Sequence, residues 1–183
     1  MVRILIAVCI ASGGSLTQKD CELARNSGYF TIAVNNSWKL APFCNVIYAG
    51  DVRWWEKSHK DITIDAERWS CQNGSKKYGC SIHHVSETEY NSGMRAIQFA
   101  MWKGFKRIIL LGYDCSLKNG YHWHGKHNGM VNPTLIRISK WHKQFAQVAS
   151  EASALSVTIQ NCSRYTELTC FPVLKLEEAL CQC

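Results

Sequence analysis

Three histidines lie close together in one loop of the sequence. His122, His124 and His127 fall within six residues of one another, and Lys126 stands between two of them. An imidazole titrates near neutral pH, so one of these histidines is a candidate general acid or base, and Lys126 is a candidate charge partner for phosphate. Asp114 lies earlier in the same loop and adds a carboxylate. We therefore predict His122, His124, His127 and Asp114 as catalytic residues.

Two alternatives for this loop stay open. Two histidines two residues apart, joined by Asp114 or His127, can reach one metal ion, although the spacing matches no standard ligand set. A divalent cation such as Mg²⁺ is then the candidate cofactor. In the other alternative the segment is an ordinary surface loop, in which Trp123 packs against the protein and the histidines cap backbone groups.

Small and polar residues follow three predicted strands. The turn Ser12-Gly13-Gly14-Ser15-Leu16 comes after the first, Asn35 and Asn36 after the second, and Asp51 after the third. Glycine lets backbone amides approach a phosphate or ribose closely, although a tight strand-to-helix turn needs glycine without any ligand. Because parallel strands end at one edge, we expect these turns to form a nucleotide pocket, in which Asp51 accepts from ribose hydroxyls or holds a cation.

A fourth candidate position is the start of a helix. Asn91-Ser92-Gly93 precedes a helical pattern that runs to about residue 105, and the first amides of a helix attract phosphate. The apolar strand at 107–112 then ends at Gly112 and leads into the loop that carries the histidines. We predict Ser92, Gly93 and Gly112 as further nucleotide-binding positions.

Strands and helices alternate along the chain, which predicts an α/β fold with a mostly parallel sheet and helices on both faces. The length of 183 residues fits a single domain at 1–183. A loop excursion, a hairpin or a lid, is expected at about 70–86, and the His-rich loop at about 113–133. The tail predicts a helical turn, a proline break and a terminal helix. The main strands are expected at about 2–10, 29–35, 45–51, 107–112 and 155–161, and the main helices at about 17–26, 51–59, 94–105 and 134–153.

Composition and patterning indicate whether the protein spans a membrane, is secreted or lies in the cytoplasm. No window approaches the roughly 18 apolar residues that span a bilayer, so no membrane span is expected. The first residues superficially resemble a short signal peptide, but a β-branched run followed by a glycine turn and an amphipathic helix favours a first strand.

Ten cysteines without a CxxC pair favour reduced, packed thiols, with Cys71–Cys80 and Cys181–Cys183 as weak pairs. We expect a cytoplasmic protein.

The formal net charge of +7 favours anionic partners such as phosphates, nucleotides or acidic glycans. The basic residues are scattered, and no Lys/Arg stripe alternates with aromatic residues as in a strand-binding groove. Phosphates, nucleotides or acidic glycans are therefore the preferred partners, with nucleic acid as an alternative. Oligomeric state is not predicted.

The order of these motifs resembles a known group of proteins. The turn at 12–16, the segments at 34–37 and 48–51, the block at 91–116 and the tail at 158–180 are similar, in order, to bacterial lipooligosaccharide sialyltransferases and archaeal hydroxymethylpterin pyrophosphokinases. Small phage-encoded proteins of the same group are more similar still. The resemblance implies a Rossmann-like fold with a nucleotide or nucleotide sugar across the carboxyl edge of the sheet.

The resemblance also implies roles for residues. The turn at 12–16, Asn35 or Asn36, and Ser92-Gly93 would hold the nucleotide part of a CMP-sugar-like donor, with Asp114 ending the strand beneath it. The sialyltransferases carry tyrosines just after the matching Gly-x-Asp, where this chain has Cys115 and Ser116. Their essential histidine lies further along a mobile lid, at a place that His124 or His127 would take.

The expected function is that of a nucleotide- or nucleotide-sugar-binding transferase of glycosyl or phosphoryl groups. One alternative is a non-catalytic phage-type protein that binds a nucleotide or serves assembly. A further alternative is a phosphotransferase or a nucleic-acid-modifying enzyme, which would bind nucleic acid in a salt-sensitive way.

Overall fold

The computed structural model describes residues 5–86, 89–126 and 131–181. Helices and strands alternate through most of this length, and two short 3₁₀ helices cover Asn35–Lys39 and Asn73–Tyr78. The strands are β1 (Ile6–Ile10), β2 (Phe30–Val34), β3 (Val46–Tyr48), β4 (Glu67–Ser70), β5 (Ser81–Ile82), β6 (Arg107–Leu111) and β7 (Thr158–Asn161). The α-helices are α1 (Gln18–Ser27), α2 (Val52–Ser58), α3 (Ser92–Trp102), α4 (Leu135–Ala154) and α5 (Leu176–Leu180).

The seven strands form one parallel sheet in the order β5-β4-β3-β2-β1-β6-β7. The chain builds the sheet outward from β1 to β5, and α3 then returns it to β6 on the other side of β1. The strand order therefore reverses between β1 and β6, and a crevice opens outside the carboxyl ends of strands at such a switch point. The predicted single-domain α/β fold with a parallel sheet is confirmed.

The helices cover both faces of the sheet. On one face α3 and α4 pack over alternate strand residues such as Cys9 and Ile32, and on the other α1, α2 and α5 cover residues such as Val8 and Ile47. The central strands are therefore buried on both sides, which explains why β6 is an unbroken apolar run after Arg107. No helix in the described ranges has the length and apolarity needed to cross a membrane.

Polar caps set the helix starts close to their predicted positions. Thr17 and Asp20 form a reciprocal capping box at α1, and Asp51 accepts from the Arg53 amide at α2. Asn91 caps α3 by accepting from the Met94 amide.

Two predictions about irregular segments are wrong. The excursion at 70–86 is not a hairpin, because β5 pairs with β4 in parallel and the 3₁₀ helix Asn73–Tyr78 makes the crossover between them, and the lid stays a prediction. A two-residue hairpin turn can join only antiparallel strands. In the tail, α5 is confirmed, but no helical turn forms between Ser163 and Phe171.

The cysteines of the described ranges are free thiols, as predicted, and the weak pair of Cys71 and Cys80 is not bonded. Most of them serve as small apolar side chains in the core, and burial raises the pKa of the Cys9 and Cys44 thiols to about 12. Cys183 lies outside the described residues.

His83 is a buried histidine just after β5. Its ring centroid lies 5.6 Å from that of Phe99 and 5.2 Å from that of Trp102, and its Nδ1 is 3.3 Å from the Tyr48 hydroxyl. Burial, followed by the charges of Arg95 and His84, lowers the pKa of His83 from 6.5 to about 4. The folded protein therefore holds this imidazole neutral.

The protein is expected to lose stability as the pH falls from 6.5 to about 4, because His83 takes up a proton in the unfolded chain before it does so in the folded one. His83 alone contributes a slope of about 1.4 kcal/mol per pH unit within this window. Urea unfolding of the wild type and of His83→Gln across the window measures it. Equal slopes in the two proteins would contradict the assignment.

Candidate functional site

Two adjoining cavities open at the carboxyl edge of the sheet and form one cleft. The first cavity, about 140 Å³, lies at the switch point between β1 and β6, and the second, about 330 Å³, lies toward β3 and β4. The first is lined by Ser12, Gly13, Gly112, Tyr113, Asp114 and Phe145, among others. The second is lined by Gly50, Asp51, Cys71, Gln72, Tyr90 and Arg137, among others. Both are lined by Asn35, Asn91, Ser92, His122, Pro133 and Trp141.

The ends of β1 and β6 approach each other very closely at the floor of the first cavity. The Gly13 amide donates to the Gly112 carbonyl at 2.8 Å, and Gly112 has a φ of +68°. A Cβ on Gly13 would lie 2.3 Å from Asp114 Oδ1 and 2.5 Å from the Gly112 carbonyl oxygen. Glycine is therefore required at residue 13 by the fit between two protein turns.

Asp114 joins those two turns by hydrogen bonds. Its Oδ2 accepts from the Ser15 amide and its Oδ1 from the Ser15 hydroxyl, both at 2.7 Å. Burial raises the pKa of Asp114, and the hydrogen bonds from Ser15 offset part of that rise. The carboxylate lines the first cavity, but both of its oxygens already have protein donors.

Only part of the predicted first turn lies at the cleft. Ser12 and Gly13 line the first cavity, whereas Gly14, Ser15 and Leu16 do not line the cleft. A Cβ on Gly14 would meet the Asn119 carbonyl, and Leu16 is buried in the core beneath α1 and α5. Only the start of the turn is placed to contact a ligand in the cleft.

Asn35 carries an unsatisfied polar atom at the junction of the cavities. Its Oδ1 is buried without a hydrogen-bond partner, although buried polar atoms in proteins are almost always paired. Its backbone has a φ of +50°, a conformation that Asn tolerates better than most residues. The side chain therefore offers an acceptor to a donor group of a bound molecule.

Asn36 orients a histidine instead of lining the cleft. Trp54 Nε1 donates to Asn36 Oδ1 at 3.2 Å, so the Asn36 amide nitrogen faces His124 Nε2 at 3.4 Å. Since an amide nitrogen only donates, His124 Nε2 must accept, and the proton of the neutral ring lies on Nδ1. The His124 ring stacks on His122 with centroids 5.1 Å apart, and His122 faces both cavities.

The His-rich loop is attached to the first turn. The Trp123 amide donates to the Ser12 carbonyl at 3.2 Å, and Lys126 Nζ lies 4.8 Å from the ring centroid of Tyr121, a residue that lines the first cavity. These contacts place the loop over the carboxyl edge of the sheet. His127 lies outside the described residues.

The N-terminus of α3 lines both cavities. Ser92 Oγ accepts from the Gly50 amide at 3.0 Å, and the Gly93 carbonyl accepts from the Tyr113 hydroxyl at 3.0 Å. The helix start is therefore fixed on both sides, toward β3 and toward β6. Amides in the first turn of a helix have no carbonyl partner within the helix and carry its positive dipole end, which favours an anionic group here.

Asp51 is an exposed residue that follows β3 and lines the second cavity. Its Oδ1 caps α2 by accepting from the Arg53 amide. Within the ranges that the structure covers, no three His, Cys, Asp or Glu side chains are grouped so as to hold one metal ion. The divalent cation stays a prediction, and no chemical step is assigned to it.

Several cleft residues are absent from the sequence predictions. Trp141 lines both cavities from α4, and Arg137 lines the second. Arg95 is buried in α3 close to the second cavity. Helical periodicity is the sequence signal that could have indicated Arg95, because Ser92 and Arg95 lie on the same helix face at spacing i, i+3.

Asp114→Ala is expected to lower the free energy of unfolding by about 1–3 kcal/mol, because it removes the acceptor of the Ser15 amide and leaves the Ser15 hydroxyl only the Tyr165 carbonyl, at 3.5 Å. Asp114→Asn is expected to stay close to wild type, because an amide can accept from the Ser15 N–H and donate to its hydroxyl. As the pKa of Asp114 is raised in the folded state, the stability of the wild type relative to that of Asp114→Asn should fall as the pH rises above the unfolded value of 3.8. Urea unfolding measures all three, and equal losses in both variants would show that the carboxylate charge is essential.

No protein-family model matches this chain, and no curated protein sequence matches it. The resemblance to the sialyltransferase group therefore stays a prediction. Function is inferred from the geometry of the cleft and from the chemistry of the residues that line it.

Proposed function

We propose that this protein binds a nucleotide or a nucleotide-linked donor in the cleft and transfers a glycosyl or phosphoryl group from it. The observation that carries the proposal is the meeting of His122, Asn35 and Ser92 at the junction of two cavities, at the switch point of a parallel sheet. Ligand sites in open α/β sheets lie at such switch points.

The first cavity suits a flat ring. Its volume of about 140 Å³ is close to that of a protein cavity that accepts benzene, about 150 Å³. Tyr113, Phe145 and Trp141 supply aromatic surface, and Asn35 supplies the buried acceptor that an amino or hydroxyl group of the ligand would satisfy. A nucleobase or a ribose has this combination of a ring and hydrogen-bond donors.

The N-terminus of α3 is placed for the phosphate of the same ligand. The amides of Ser92 and Gly93 begin the helix, and Ser92 lies at the junction of the cavities. Negative charge that develops on a departing phosphate is stabilised by fixed amide dipoles of this kind.

His122 is placed to act as the general base. In the proposed reaction, the acceptor hydroxyl gives its proton to the imidazole of His122, and its oxygen forms a bond to the transferred group. The bond between that group and the nucleotide phosphate oxygen breaks, and its electron pair leaves with the phosphate. His124 acts through His122 as a positioning residue, since Asn36 and Trp54 hold its ring in the stack.

Asn35→Gly is expected to weaken nucleotide binding about three- to tenfold, because it removes one hydrogen bond to the ligand. The stability of the variant should be equal to that of the wild type or higher, because glycine suits the positive φ and Asn35 Oδ1 has no protein partner to lose. Calorimetry with CMP, UMP, AMP, GMP and their sugar conjugates measures the affinities. Unchanged affinity for the preferred nucleotide would remove Asn35 from the site.

His122→Gln is expected to lower turnover of the donor that binds best by about 10²–10⁴-fold while changing its affinity little. His84→Gln is the matched control, because His84 is exposed and lines neither cavity. Release of free nucleotide from the donor, followed by chromatography, measures turnover. A protein that binds nucleotide but consumes no donor, with His122, His124 and His127 each dispensable, would be a binding protein and not a transferase.

A further inference from the structure

Arg95 is a buried cation without a counter-charge. Its side chain is 1% exposed, and its Nη1 donates to Gln98 Oε1 at 2.8 Å. Among residues 5–86, 89–126 and 131–181, its Nε and Nη2 have no hydrogen-bond partner, and no carboxylate forms an ion pair with it. Buried charges in proteins are normally paired, since removing an ion from water is costly.

The neighbours of Arg95 locate this charge beside the second cavity. Its guanidinium carbon lies 5.0 Å from the ring centroid of Tyr90, and its Cγ lies 4.0 Å from the position of a Cβ on Gly50. Burial raises the pKa of the Cys71 thiol, and the nearby Arg95 charge offsets part of that rise. Tyr90, Gly50 and Cys71 all line the second cavity.

The charged side chains that line the second cavity are exposed. Arg137 is the basic residue of the described lining, and the α3 N-terminus adds its amides. Asp51 is the acidic residue of the described lining, and its Oδ1 is engaged with the Arg53 amide. Gln98, which accepts from Arg95, in turn donates from Nε2 to Glu151 Oε2 at 2.7 Å. Glu151 therefore accepts from Gln98 and not from Arg95 itself.

We infer that Arg95 is an anion-binding residue and that the second cavity receives the phosphate groups of the ligand, while the first cavity receives its ring. For a nucleotide as ligand, this inference rests on the proposed function. The ligand class that fits is a nucleotide with at least one doubly charged phosphate or a diphosphate, because the exposed Arg137 and the α3 N-terminus line this cavity and the buried Arg95 lies directly behind its lining residues Gly50 and Tyr90.

The test uses inorganic pyrophosphate and CMP as probes, with the wild type and Arg95→Met. Pyrophosphate is expected to raise the melting temperature of the wild type, and Arg95→Met should bind it at least tenfold more weakly in calorimetry. Without a ligand, Arg95→Met should melt at the same temperature as the wild type or higher, because it replaces an unpaired buried charge with an apolar side chain of similar length.

Arg107→Met is the matched control. Arg107 is also buried, but its guanidinium donates to Gln160 Oε1 and to the Ala179 carbonyl on the far side of β6. This variant should melt at a lower temperature than the wild type and keep its affinity for pyrophosphate. If it does not fold, Arg107→Lys serves as the control.

The outcomes separate this inference from the proposed function. Loss of pyrophosphate binding in Arg95→Met, with no nucleotide bound by the wild type, supports the anion site and contradicts the nucleotide proposal. Equal binding of CMP and pyrophosphate by the wild type and Arg95→Met overturns the anion site and leaves the nucleotide proposal standing. A wild type that binds neither probe overturns both.

Discussion

The cleft depends on the junction between β1 and β6. Two strands that are far apart in sequence end side by side, and the Asp114 carboxylate accepts from the Ser15 amide and hydroxyl across the gap. Gly13 makes this contact sterically allowed, because any side chain there would overlap the carboxylate. Since the strand order reverses at this junction, the same contact that joins the two halves of the sheet also forms the floor of the first cavity.

Around the floor of the first cavity, some buried polar groups have all their hydrogen-bond partners in the protein and others do not. Asp114 and Asn36 have protein partners, so they hold the shape of the site. Asn35 Oδ1 and the Arg95 guanidinium retain unsatisfied atoms, one an acceptor and the other a pair of donors. A folded protein tolerates such groups only at a cost in stability, and departures from local satisfaction are expected at functional sites.

Much of the fold was predictable because local signals agreed with one another. β-branched apolar runs predicted β1, β2 and β6, and polar caps such as Thr17 and Asn91 lay within a residue or two of the observed helix starts. The region at 70–86 was not predictable in the same way, because a two-residue strand such as β5 has no measurable periodicity. Its parallel pairing with β4 depends on the sheet edge that β4 already provides.

The sequence by itself determined the succession of strands and helices, and with it which turns share the carboxyl edge, since parallel strands place their ends together. Only the tertiary structure decided what each side chain does there: Asp114 pairs with Ser15, Leu16 enters the core, Asn36 holds His124, and Arg95 lies unpaired beside the second cavity. The physical reason is that pairing and burial depend on neighbours brought close by long-range contacts, and a linear pattern does not encode which neighbour occupies the space.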